Sequence, residues 1–166
     1  MISALVADSY SPPPTASGTG GDSQVLWEQL IKANDDFLLP VNMREWRDAL
    51  TLFTELPLSH SNTGWDGEDA EPLSVGSMIA ARVALLLLFK AGVPAPEIGV
   101  DADGEVAFEW SAPRKSVIFT FRPNGTLSHT ALYNDIQETP GTVVFSDSIP
   151  ALLLDKIARV YRPNRG

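Results

Sequence analysis

Between Ile98 and Ala131, apolar residues recur at every second position in four runs, the last interrupted by His129: Ile98 and Val100, Val106 to Trp110, Val117 to Phe121, and Leu127 to Ala131. Successive side chains on a strand point to opposite faces, so this period of two predicts four half-buried β-strands. The first two are joined by V-D-A-D-G-E-V (Val100–Val106) and the last two by F-R-P-N-G-T-L (Phe121–Leu127). Asp103-Gly104 and Asn124-Gly125 are hairpin signals, and the spacing fits a three-residue loop, a type I turn followed by glycine in the left-handed region. That loop sets Val100 opposite Val106, Ile98 opposite Phe108, Phe121 opposite Leu127, Phe119 opposite His129 and Val117 opposite Ala131. A two-residue loop would slip the pairing by one and set Phe121 against Ser128, moving apolar side chains to the wrong face. Across S-A-P-R-K-S the middle strands align Trp110 with Val117, Phe108 with Phe119 and Val106 with Phe121. The expected apolar face has three rows: Ile98, Phe108, Phe119 and His129; Val100, Val106, Phe121 and Leu127; Trp110, Val117 and Ala131. The other face carries residues such as Glu105, Ser116, Thr120, Arg122 and Thr130 and is expected to be solvated, with Glu105 and Arg122 as a cross-strand pair.

Elsewhere the period is helical. Ser23 can cap a helix from Gln24 to about Asn34, and Asn42 with Glu45 makes a capping-box-like start to a second helix. This second helix carries Met43, Trp46, Leu50 and Phe53 on one stripe, and Pro57 is expected to end it after about Glu55. Ser74 caps the most apolar helix, which runs to Ala91, stops at Gly92 and Pro94, and is expected to lie centrally against the sheet. T-V-V-F (Thr142–Phe145) reads as a possible fifth strand, and a last helix from Pro150 to about Tyr161 buries Leu153, Ile157 and Val160. The expected fold is α+β: a four- or five-stranded antiparallel meander with helices packed on one face. Residues 1–22, rich in Pro, Gly and Ser, read as a disordered tail, 23–162 as a single domain and 163–166 as a short C-terminal tail.

Composition narrows the chemistry. No cysteine is present among 166 residues, which removes disulfides, thiolate nucleophiles and cysteine metal sites. The longest apolar run, Val83 to Phe89, is far below the roughly 20 residues of a spanning helix, and the start lacks a signal-peptide pattern, so the expectation is cytoplasmic residence without a membrane. Charge is uneven: residues 1–110 hold 5 basic and 17 acidic side chains, a net −12, and residues 111–166 hold 7 and 4, a net +3. An acidic front half repels nucleic acid and attracts basic protein surfaces.

Candidate chemistry gathers in G-W-D-G-E-D-A-E-P, where Trp65 is followed by Asp66, Glu68, Asp69 and Glu71. Calcium binding would need the spacing of a twelve-residue oxygen-ligand loop, which D-G-E-D-A-E does not match, so no metal is expected. A second reading is a plain turn, with Asp66 capping local backbone, Gly64 and Gly67 supplying permissive dihedrals and Trp65 folded onto the core. A third is an acidic contact loop, with Trp65 as anchor and the four carboxylates selecting a basic partner. The two histidines limit acid–base proposals: His129 falls on the apolar face, where a neutral ring with one satisfied nitrogen is expected, and His60 sits in a polar loop and should be solvated. No nucleophile elbow, H-E-x-x-H helix, phosphate loop or dinucleotide fingerprint is present, so no catalytic residue and no cofactor is assigned. Lys156, Arg159, Arg162 and Arg165 recur at every third residue; they read as cations complementing a helix C-terminus plus a solvated tail, or as an anion-binding patch.

The series G-W-D-G-E-D-A-E-P-L-S, long apolar helix, V-P-A-P-E-I-G, D-G-E-V-A-F-E-W and F-R-P-N-G-T-L resembles a set of uncharacterised small bacterial and phage-borne proteins with the pattern W-D-G-x-x-A-x-P, helix, P-x-P, D-G-x-x-x-x-E-W and a D/N-G hairpin. It covers about Gly64 to Tyr133. The resemblance implies the helix-and-hairpin fold and no particular reaction; Glu68 and Asp69 replace an aromatic and a glycine of the pattern and make this loop more acidic. The functional expectation is a non-enzymatic acidic module of the inhibitor, antitoxin, immunity or phage counter-defence kind, occupying a basic surface such as that of a nucleic-acid-binding protein or complex. The alternatives are a small hydrolase or nuclease-like enzyme using His60 or His129 with carboxylates, and a small-ligand module.

Overall fold

The computed structural model describes residues 25–26 and 43–163. The N-terminal tail and most of the helix expected over Gln24–Asn34 lie outside the described residues, although Val25 and Leu26 are helical and Leu26 is buried. The described elements are α1 (Met43–Ser59), α2 (Val75–Lys90), β1 (Glu97–Val100), β2 (Val106–Ala112), β3 (Lys115–Phe121), β4 (Thr126–Tyr133), β5 (Ile136–Gln137), β6 (Gly141–Val144) and α3 (Ala151–Tyr161). The order β1-β2-β3-β4 is an antiparallel meander, and the outer edge of β4 is shared by β5 at one end and β6 at the other. The fold is therefore the expected α+β class, the meander being extended by two short strands.

Every residue pair expected across the strands is found: Ile98 with Phe108, Phe108 with Phe119, Phe119 with His129, and Phe121 with Leu127 rather than Ser128. Phe108, Phe119, Phe121 and Val106 have no exposed surface, while Thr120 and Ser116 on the other face are half-buried. The rows interlock edge to face, with Phe108 and Phe121 ring centres 4.7 Å apart and Trp110 and Phe119 5.0 Å apart, the geometry the ring quadrupole favours. Arg122 and Glu105 approach to 3.8 Å on the solvated side.

The helices cover the aromatic face. α1 buries Trp46, Ala49, Leu50, Phe53 and Leu56 and runs through Pro57 to Ser59, about four residues beyond the expected end at Glu55. A proline there forfeits one hydrogen bond in the final turn, and the burial of Leu56 together with the His60 N–H to Leu56 carbonyl bond (3.0 Å) offsets that loss. Ser74 caps α2 by accepting from the Ser77 N–H (3.3 Å), and Ser77, itself fully buried, accepts from the Val106 N–H (2.7 Å), tying helix to sheet. α2 packs on β2 and β3 as expected of a central helix. Its outer stripe is nonetheless exposed, Val75 at 75% and Ile79 at 63%, because one side of a helix cannot reach the sheet it lies on. α3 buries Leu153, Ile157 and Val160, and with them Lys156.

Gly104 and Gly125 both adopt positive φ, +73° and +79°. They differ in surroundings: a Cβ on Gly104 would lie 2.2 Å from the Pro72 carbonyl oxygen, whereas one on Gly125 would meet nothing within 4 Å. Gly125→Ala should therefore cost about 1–2 kcal/mol from the left-handed conformation alone. Gly104→Ala should cost about 2–4 kcal/mol because backbone clash is added. Denaturant unfolding of the two variants measures the difference, and equal losses would show that Pro72 can move aside.

Candidate functional site

The loop that follows α1 is built by its own glycines and aspartate. Gly64 and Gly67 take φ of +70° and +90°, the Gly64 N–H donates to the Ala70 carbonyl (2.8 Å), and Asp66 Oδ1 accepts from the N–H groups of Glu68 (2.9 Å) and Ala70 (3.4 Å). Ala70 is buried beneath this turn. Trp65 lies half-buried, its indole N–H donating to the Glu71 carbonyl (2.9 Å) and its ring set edge-on to His60 at 4.2 Å. His60 is thus half-buried rather than solvated, with Nδ1 2.7 Å from Ser59 Oγ and 3.1 Å from the Leu56 carbonyl oxygen. The turn chemistry foreseen for Asp66, Gly64 and Gly67 is present, and Glu68, Asp69 and Glu71 point their charge into solvent. Among the described residues no group of three or more His, Asp or Glu side chains could hold a metal.

A second acidic segment joins this loop. The Glu71 N–H donates to the Ala102 carbonyl and the Ser74 N–H to the Gly104 carbonyl, both at 2.8 Å, and Pro72 sits against Gly104, which has no side chain to exclude it. The β1–β2 hairpin is capped in the same style as the loop, Asp101 Oδ1 accepting from the N–H groups of Asp103 (3.1 Å) and Glu105 (2.9 Å). Asp66, Glu68, Asp69, Glu71, Asp101, Asp103 and Glu105 therefore belong to one stitched unit, with Arg122 beside it. Burial, and then the charge of Asp101, hold the Glu105 carboxyl above the usual range against the opposing pull of Arg122. Sequence reasoning missed this junction, since nothing in a linear pattern places Pro72 against Gly104.

Arg159 lies in the last turn of α3, as the helix-dipole reading expects, but it and Lys156 also share a carboxylate that neither reading foresaw. Lys156, 6% exposed, donates to Glu138 Oε2 (2.5 Å), and Arg159 donates to Glu138 Oε1 (2.6 Å) while lying over the Tyr133 ring at 3.9 Å. Arg162 pairs with Asp155 (3.0 Å), and Arg165 lies outside the described residues. Lys156 and Arg159 are thus internal partners of a carboxylate, because Lys156 occupies the buried stripe Leu153, Ile157 and Val160, a position its helical spacing could have revealed. The hydrogen bond from Lys156 holds the Glu138 carboxyl below its usual range.

His129 is buried on β4 as expected, 7% exposed, between Phe119 and Gly141, and a Cβ on Gly141 would lie 2.6 Å from its ring. Its Nδ1 is buried with no hydrogen-bond partner, because the flanking positions are an aromatic ring and a bare glycine. Burial first, and the Lys156 charge second, push its pKa below the ordinary value.

The chain matches no family model, no curated protein and no solved structure. Among the described residues no helix is long and apolar enough to cross a membrane.

Two stability predictions follow from the internal cluster. Because the native His129 takes up a proton less readily than the unfolded one, stability should be full above about pH 6.5 and decline as pH falls from there towards the lowered native value. His129→Gln should remove that slope. Glu138 shifts in the same direction: its contribution is present above about pH 4.5 and disappears as pH falls through its depressed native value. At neutral pH Glu138→Gln should cost about 3 kcal/mol by leaving Lys156 buried without its carboxylate, and Lys156→Met should cost less. Urea unfolding from about pH 2 to 8 checks both.

Proposed function

We propose that this protein is a non-enzymatic binding module that occupies a basic surface on a protein partner, in the manner of an inhibitor, antitoxin, immunity protein or phage-encoded counter-defence protein, and that it acts in the cytoplasm. The observation carrying the reading is the stitched acidic unit, seven carboxylates drawn from the 64–71 loop and the β1–β2 hairpin with Arg122 as their cation. The exposure of Glu68, Asp69, Glu71 and Asp103 supports it, since clustered carboxylates held at a surface steer a cationic partner. Trp65 offers the anchor: a half-buried ring at the base of the carboxylates, held in place by its indole hydrogen bond and by His60. The surroundings of the histidines support binding over catalysis, His60 being engaged by a serine and a carbonyl rather than a carboxylate, and His129 by nothing at Nδ1.

A partner captured from the source organism should associate with a rate that falls steeply between about 0.05 and 0.5 M salt, because steering by exposed charge is screened within about 10 Å. Trp65→Ala should speed dissociation and weaken binding by about 2 kcal/mol. Glu68→Gln, Asp69→Asn, Glu71→Gln and Asp103→Asn together should slow association; Asp66 is left intact because its carboxylate closes the loop. A salt-independent rate, with Trp65→Ala folded and binding normally, would sink the proposal.

A further inference from the structure

At the end of β1 remote from the acidic hairpin, a groove of about 560 Å³ runs between α1, the start of β1, the end of β2 and the last residue of α3. It wraps the edge of the sheet, so it takes Ile98 and Trp110 from the aromatic face and Glu97 and Glu109 from the other. Glu45, Asp48 and Leu52 line it from α1, at the i, i+3, i+7 spacing of one helical stripe, and Tyr161 stands across from them. Among the described residues that line it there is no lysine or arginine. Glu97 and Glu109 are directly opposed in the antiparallel ladder, a like-charge arrangement that weakens a sheet unless a cation intervenes. The Tyr161 hydroxyl is pushed up by burial and then by Glu45 on one wall and Glu97 on the other.

We propose that this groove seats an arginine- or lysine-bearing extended segment of a protein partner, its aliphatic stem against Leu52, Ile98 and Tyr161 and its cation between the α1 carboxylates and the Glu97–Glu109 pair. The inference rests on the reading of a basic partner given above and adds a second contact at the opposite end of β1. The chemistry is selective. A bare metal ion is not suited, since among the described residues no three carboxylates converge closely enough to hold one. A long cationic side chain uses both wall types at once, because its methylene stem covers apolar surface while its charged head makes charge-assisted hydrogen bonds to carboxylates. Leu52 and Tyr161, 43% and 47% exposed, are the apolar surface such a stem would cover.

The test uses the full chain and a labelled, capped peptide alternating arginine with valine, titrated in about 0.15 M salt, with amide chemical shifts followed by NMR. The expected result is saturable binding, with shifts at Glu97–Val100, at the Trp110 indole and in α1 near Asp48. Glu97→Gln with Glu109→Gln should weaken it by about tenfold, and Glu68→Gln with Asp69→Asn and Glu71→Gln by less than about twofold. The Glu97→Gln, Glu109→Gln protein should melt no lower than the parent, since it loses a like-charge pair, so that lost binding is not lost folding. Equal losses from the two sets of substitutions would mean general charge attraction and overturn the groove. Shifts confined to the 64–71 loop and the β1–β2 hairpin would overturn the groove and leave the acidic-unit reading standing. Absence of saturable binding overturns the groove as well, while the salt dependence of the captured partner decides the broader reading separately.

Discussion

The alternation of side chains across β2, β3 and β4 fixes where every other element can lie. With Phe108 opposite Phe119 and Phe119 opposite His129, one face of the sheet is a continuous aromatic and aliphatic floor and the other is a surface of Thr, Ser and Glu. α1, α2 and α3 have nowhere else to bury Trp46, Leu85 and Ile157, so all three settle on the same side. The β1–β2 hairpin then extends past the sheet at the level where α2 begins, and the chain entering α2 runs across it through Pro72 and Ser74. The acidic unit is thus a by-product of register: the strand pairing that packs Phe108 also delivers Asp101 and Asp103 to the loop of Asp66 and Glu71.

What was legible in the sequence follows the range of the forces involved. Period-two alternation and Asp-Gly or Asn-Gly turns are local, so the rows and both hairpins could be read directly, as could the Ser74 cap and the stripe of α3. Pro57 was misread because its local effect, one missing donor, is outweighed by the tertiary burial of Leu56. The two-residue β5 follows Asn134 and Asp135, both at positive φ (54° and 66°), a type I′ hairpin signal that the residue types permit but do not demand. For the candidate loop, the residues that bend it were legible and its neighbours were not, since the meeting of Pro72 with Gly104 joins segments distant in sequence. Lys156 was assigned to the surface by its charge, although its spacing placed it in the buried stripe; Glu138 is what makes that position tenable.

The two ends of the charge distribution behave differently for one reason. Lys156 and Arg159 are both engaged by a single carboxylate, Glu138, far from the acidic front. The carboxylates of the loop and hairpin use their oxygens to close turns, as Asp66 and Asp101 do, or extend into solvent, as Glu68, Asp69 and Asp103 do. Around the loop and hairpin the charge is therefore one-sided, seven carboxylates against Arg122.

The division of the outer edge of β4 between two short strands also bears on how the protein behaves when crowded. β6 takes Thr126 to His129 and β5 takes Leu132 and Tyr133, while the Glu138 N–H reaches the Ala131 carbonyl between them. An eight-residue strand whose edge would otherwise template a neighbouring chain is left with outer borders of only two and four residues, offset from each other. Intermolecular sheet growth from that side has no straight run of donors and acceptors to copy.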